Sequence, residues 1–200
     1  MLRYSVHDEH AVLPRDEFVE RFVDVPTTLA ACRACPNHGR TWVCPEFDFD
    51  PMDVWAKQPW VHVFCRTVTY DADQPRTGMT SDELIDEVMT MFKTEQQLAH
   101  DFLMELRDQH PGSIPLSGGS CAICPDCTRE VGLPCRYPDL MVHPIEAIGG
   151  DVVGTMRDLF GITVTWSDGV TLEDKNYFVT ALLSAEETPA FVRGGAHAVH

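Results

Sequence analysis

The feature that most constrains this chain is a run of thiols, Cys121-Ala-Ile-Cys124-Pro-Asp-Cys127, followed by Cys135 in Leu-Pro-Cys-Arg. Three cysteines recur with two residues between them, and the fourth comes after seven more. A loop with that spacing can turn three sulfurs around one inorganic centre, with a fourth to close the coordination. Thiolates are the usual ligands of iron–sulfur clusters and common ligands of zinc. Three closely spaced cysteines favour a four-iron cluster, which takes one thiolate per iron, whereas structural zinc more often uses two separated Cys-x-x-Cys pairs. The spacing is not that of a bacterial ferredoxin, because the fourth cysteine comes later and its proline precedes it. The expectation is a [4Fe–4S] centre at Cys121, Cys124, Cys127 and Cys135, with zinc as the alternative.

A second group precedes it in Cys32-Arg-Ala-Cys35-Pro-Asn-His-Gly-Arg-Thr-Trp-Val-Cys44-Pro. Cys32 and Cys35 form a Cys-x-x-Cys knuckle and Cys44 returns after eight residues, with Pro36, Asn37 and Gly39 supplying turn chemistry. Three thiolates and one open position suit either a substrate-binding cluster or a site completed from elsewhere. His38, Cys65 and a solvent molecule are the candidates for the missing ligand. A redox dithiol at Cys32 and Cys35 is the weaker reading, since no thioredoxin-like strand–helix pattern surrounds it. Trp42 either shields the centre or packs in the core.

These residues carry a resemblance. The stretch from Ala31 to Pro45, followed by Phe47-Asp-Phe-Asp-Pro51, is similar to the first signature of a family of predicted metal-binding proteins (domain of unknown function family 2284). Gly118-Gly-Ser-Cys-Ala-Ile-Cys-Pro-Asp-Cys with Pro134-Cys-Arg resembles its second signature. His143-Pro-Ile-Glu-Ala-Ile-Gly-Gly-Asp-Val resembles its Ser-Met-Glu-Ala-x-Gly-Ile-Asp-Val segment. The likeness spans residues 15 to 184. His38 stands where the family pattern has tyrosine and Gly150 where it has isoleucine, and neither departure removes a cysteine. The resemblance implies metal binding, with iron–sulfur favoured, and supplies no reaction.

Fifteen basic against 31 acidic residues give a formal charge of −16. Because phosphate recognition depends on clustered Lys and Arg, that balance argues against nucleic acid and an anionic membrane surface as partners. The first ten residues lack an apolar signal core and no stretch approaches a membrane span, so the expected compartment is the cytoplasm. There, eight cysteines do not form a disulfide framework.

The scaffold reads as one α+β domain: a small, largely antiparallel sheet packed on one face by two main helices. Residues 1–60 form an N-terminal wrap holding the first cysteine group, 61–184 the scaffold with the second, and 185–200 a loose tail. Pro14 to Val25 reads as a short amphipathic helix, preceded by solvated His7 and His10. Val61 to Tyr70 alternates as a strand and makes Cys65 a buried core thiol. Thr80 to Gln109 is the longest helix, with a Thr80/Glu83 capping box after a loop at Asp71 to Gly78. Asp151 to Phe160 is a second helix closed by Gly161, and Ile162 to Trp166 and Asn176 to Ser184 form an antiparallel strand pair. Gly118 and Gly119 either let the backbone approach a centre or make an ordinary turn. Arg136 either offsets cluster charge or is solvated, His143 sits in a turn, and Asp48, Asp50 and Asp53 form a solvated turn. Both cysteine loops are expected near one end of the sheet.

Three functions follow. The first is an iron–sulfur protein passing electrons to a redox partner. The second is an enzyme binding a small-molecule substrate at an open iron of the Cys32, Cys35 and Cys44 cluster, with no catalytic side chain assigned. The third is a zinc-stabilised interaction module. One or two metal centres are compatible with the cysteine count.

Overall fold

The computed structural model describes residues 3–71, 81–164 and 174–187. Its centre is a five-stranded sheet of order β1-β2-β5-β3-β4, comprising β1 (Tyr4–Pro14), β2 (Trp60–Tyr70), β3 (Ile114–Ser117), β4 (His143–Pro144) and β5 (Lys175–Ser184). β1, β2, β5 and β3 are antiparallel neighbours, while β3 and β4 run parallel. The sheet is thus mixed and the class is α+β. β1 pairs with β2 along its whole length, from Tyr4 opposite Tyr70 to Pro14 opposite Trp60. It occupies part of the segment expected to wrap around the sheet; His7 and His10 are strand residues.

Among the described residues, five α-helices flank the sheet: α1 (Arg15–Phe22), α2 (Val25–Cys32), α3 (Pro51–Trp55), α4 (Ser81–Gln109) and α5 (Val152–Phe160). Strand parity separates two faces. Val61, Val63 and Cys65 of β2 lie opposite Leu183, Ala181 and Val179 of β5 and pack with Phe18, Phe22, Trp55 and Met156 from α1, α3 and α5. The alternate face carries Phe64, Arg66, Val68, Tyr70 and Phe178, against which Met91, Phe92 and Phe102 of α4 pack. The two main helices therefore cover opposite faces rather than one. β2 and β5 are buried from both sides, which is why their apolar runs are nearly continuous.

α4 is tied down by charge as well as by apolar contact. Arg66 makes two 2.7 Å bonds to the Asp8 carboxylate and a 3.0 Å bond to Glu95, whose other oxygen accepts from Tyr4 at 3.0 Å. Glu95 is 1% exposed, so its charge is held by this pairing. α5 starts at Asp151, whose side chain accepts from Gly154 N at 2.9 Å, and ends at Gly161 with φ 66°. Ile162, Thr163 and Val164 lie outside any strand, and β5 is hydrogen-bonded to β2 and β3. The Thr80 cap, most of the Asp71–Gly78 loop, Trp166, the Ser167 turn and most of the tail lie outside the described residues.

On the α4 face, His62 is fully buried and His10 stacks between it and Phe64, at 5.4 and 4.7 Å. His62 Nε2 lies 2.9 Å from the Glu186 carbonyl and so carries the hydrogen; in the neutral pair Nδ1 accepts from His10 Nε2 at 3.2 Å. Burial and His62 push the His10 pKa down from 6.5 to about 4; burial lowers His62 as well, opposed by its bond to the Glu186 carbonyl and aided by His110, just past the end of α4. The unfolded chain therefore takes up protons first as pH falls. Stability is full above pH 6.5 and should decline as pH drops toward about 4. Urea unfolding at pH 7.5, 5.5 and 4.5 checks this. His10→Phe keeps the stack and should show a shallower acid loss; identical profiles would refute the assignment.

Candidate metal centre

The first cysteine group hangs from the end of α2. Asp24 caps that helix by accepting from Thr27 N at 3.0 Å, and Pro26 suits its first turn. The helix stops at Cys32 and the chain continues as consecutive tight turns: Cys35 N bonds Cys32 O, His38 N bonds Cys35 O, and Cys44 N bonds Thr41 O, at 3.0–3.2 Å. Cys32 is half-buried, Cys35 exposed and Cys44 buried. Asp50, read as part of a solvated turn, instead caps α3 by accepting from Met52 N at 2.9 Å.

α2 docks onto the turn at Glu146–Ile148. Asp24 N and Thr28 Oγ1 donate to Gly149 O at 2.9 and 3.2 Å, and Asp151 N donates to Phe22 O at 2.7 Å. Gly149 has φ 92°, and a Cβ there would also run into the backbone of Val25. This approach brings Cys32 Sγ to 3.8 Å from the Glu146 carbonyl. Gly150, the departure from the family's isoleucine, lies against Ile145 and Trp55, leaving no room for a side chain on this backbone.

The second group leaves β3 through Gly118, whose Cα is packed so tightly on the Val179 carbonyl of β5 that a Cβ would overlap it. Of the two glycines, the first is thus required by strand packing; Gly119, with φ 73°, makes the turn. A single turn at Thr128–Val131 closes on Gly132 with φ 71°, and Thr128 Oγ1 donates to Pro134 O at 2.8 Å. The loop is thereby folded back, so that Cys121, Cys124, Cys127 and Cys135 line one cavity of about 450 Å³. Arg136 lies on its rim, exposed, donating to Asp126 O at 2.7 Å.

Arg129, which drew no attention in the sequence, joins the two groups. Its guanidinium donates to the carbonyls of Thr41, Cys44 and Glu46 at 2.7, 2.6 and 3.0 Å and lies 5.4 Å over the Trp42 ring. Trp42 Nε1 donates to Leu133 O at 3.1 Å, so that tryptophan bridges the loops and borders the same cavity. Ser120 Oγ lies 3.4 Å from Thr41 Oγ1 and 3.7 Å from Cys44 Sγ. His143 sits in β4 rather than a turn; its Nδ1 lies 3.1 Å from the Val43 carbonyl and carries the hydrogen, while its ring packs edge-on against Phe47 and Phe49. It acts as a strut beneath the first loop.

Electrostatics sort the thiols into two sets. Burial pushes the Cys121 thiol up, and Cys124, Cys127 and Cys135 add to the effect. Burial pushes Cys32 up too, with Glu146, Cys35 and Cys44 contributing in that order. Among the described residues, no three His, Cys, Asp or Glu side chains converge as tightly as one ion would need. Cys65 belongs to neither set. It is 1% exposed in the core between Val63 and Val179, and burial drives its thiol up to about 12. Cys65→Ser should leave metal content unchanged and cost about 1–3 kcal/mol if the new hydroxyl lacks a partner. Metal analysis and urea unfolding check both; loss of a whole centre would place Cys65 among the ligands.

The structure is an α+β scaffold carrying two buttressed, cysteine-rich loops. The family described as "Predicted metal-binding protein (DUF2284)" matches residues 23–183, and the chain belongs to that family. No curated protein and no solved structure matches the chain. Among the described residues no helix is long and apolar enough to cross a membrane.

Proposed function

We propose that this metal-binding protein is an iron–sulfur protein with a redox role, holding a [4Fe–4S] cluster on Cys121, Cys124, Cys127 and Cys135 and a second centre on Cys32, Cys35 and Cys44. The observation that carries the reading is the single cavity of about 450 Å³ lined by all four thiols of the second group. A cubane spreads its ligands over four irons, so its thiolates surround a space instead of meeting at a point. Cys32, Cys35 and Cys44 are not among the residues lining that cavity, which supports two centres.

When bound, such a cluster supplies one-electron storage at a potential set by hydrogen bonding and solvent exposure. The chain's residues do the rest. Four thiolates fill the coordination of the second group, which suits electron storage or transfer to a partner protein. Trp42 and Met141 border the cavity and limit water there, while Cys35, exposed at the first group, leaves that site open to small molecules. That exposure favours the second reading, a small-molecule substrate bound at the N-terminal centre.

Iron, zinc and acid-labile sulfide measured on anaerobically purified protein test the proposal. About eight irons with matching sulfide per chain is the expected result. Zinc without sulfide would overturn it in favour of a zinc-stabilised interaction module.

A further inference from the structure

The N-terminal group has three thiols, and Glu146 meets it through its backbone carbonyl, 3.8 Å from Cys32 Sγ. The Cys32 thiol feels Glu146 more strongly than it feels Cys35 or Cys44. The Glu146 carboxylate is held by two backbone amides, its own and that of Gly119, and burial raises its pKa. Oε2 is buried and has no hydrogen-bond partner among the described residues. A buried carboxylate oxygen left unpaired is costly, and a bound cation is one of the few groups that removes the cost. The placement is built into the fold: α2 seats against Gly149, which sets Cys32 beside the Glu146 backbone. Of the fourth ligands suggested by the sequence, Cys65 lies in the sheet core.

We propose that Glu146 is the fourth protein ligand of the centre held by Cys32, Cys35 and Cys44, binding metal through Oε2. The inference rests on the metal reading of that group. Binding forms one metal–oxygen bond from the carboxylate, with no change of oxidation state. A carboxylate is a harder donor than thiolate, so this is the ligand an incoming thiol, cyanide or substrate displaces. The amides of Glu146 and Gly119 then hold the released carboxylate in place, and the site reopens without unfolding. Gly119 precedes Ser120 and Cys121, so the same carboxylate touches the loop that carries the other group.

The test uses the full chain loaded anaerobically with iron-57 and sulfide, comparing wild type with Glu146→Gln, Glu146→Cys, Glu146→Ala and Cys35→Ala. Iron content, Mössbauer spectra and loss of iron to a chelator are read, with circular dichroism confirming the fold. Wild type should show one iron of distinct, oxygen-ligated character that Cys35→Ala removes with its cluster. Glu146→Cys should keep the iron and abolish the distinct signal. Glu146→Gln and Glu146→Ala should lose N-terminal iron about tenfold faster or more. The near-isosteric Gln and Cys variants keep the test valid if Glu146→Ala fails to fold. Spectra and release rates unchanged in all Glu146 variants, with Cys35→Ala still losing a cluster, would overturn the role of Glu146 and leave the iron–sulfur proposal standing. Wild type without any iron and sulfide sensitive to Cys35→Ala would overturn both.

Discussion

Replacing Cys124 by alanine should remove about four irons and their sulfide from the loaded chain while leaving the N-terminal centre in place. Cys124 sits mid-loop among the thiols lining the 450 Å³ cavity, and Cys121 senses it together with Cys127 and Cys135. With one thiolate missing, three ligands remain on a loop of turns whose ties to the rest of the chain run through Arg129 and Leu133. Ligation and local folding are coupled in such sites, so the 121–135 loop should also lose protection against proteolysis. Cys35→Ala should do the reverse, removing the N-terminal iron and sparing the second cluster. Iron and sulfide per chain decide the matter. Four irons in wild type, lost equally by both variants, would mean one shared centre and defeat the two-centre reading.

The second large effect is expected at Arg129. Its guanidinium satisfies three carbonyls of the first cysteine loop from within the second. Charge-assisted bonds of this kind are the stronger ones; removing the donor takes it from the Cys44 carbonyl in a protected setting and leaves the Thr41 carbonyl with the Cys44 amide. Arg129→Met, which keeps much of the stem, should cost about 3 kcal/mol. It should also speed metal loss from both groups, although neither has lost a ligand. Lysine should recover little, because one ammonium cannot spread over three carbonyls as a planar fork does. Chelator-driven iron release read separately for the two centres checks this. A variant that loosens the second centre alone would show that the loops are independent.

Much of the scaffold was legible in the sequence because it obeys simple periods. β2 alternates and is β-branched, α4 repeats its apolar residues at helical spacing, and Asp151 and Gly161 bracket α5 with unmistakable caps. β1 was illegible for the opposite reason. His7, Asp8, Glu9 and His10 are poor strand formers, and an edge strand tolerates them because one side needs no partner. β3 has four residues, one of them Pro115, too few to show a period. The opposite placement of α4 and α5 was hidden as well, since a strand covered on both sides does not say which helix lies where. At the candidate site the thiols announce themselves by spacing. Arg129 and Glu146 do not, because nothing local distinguishes a loop arginine or a turn glutamate from a solvated one. Their importance comes from partners about 85 and 114 residues away.

The sheet order has a consequence for how the protein is made. β5, the last of the described strands, lies between β2 and β3, so those strands have no partner for their inner edges until residues 175–184 leave the ribosome. By then both cysteine loops have emerged, with the surfaces that seat them still missing: Gly118 has no Val179 to rest on. Long-range strand pairing of this kind is slow and comes late. A nascent chain therefore exposes seven loop thiols before it has a place to hold them. Metal delivered after release meets a formed cavity, whereas metal offered during synthesis meets loose cysteines that can trap it in mixed pairs.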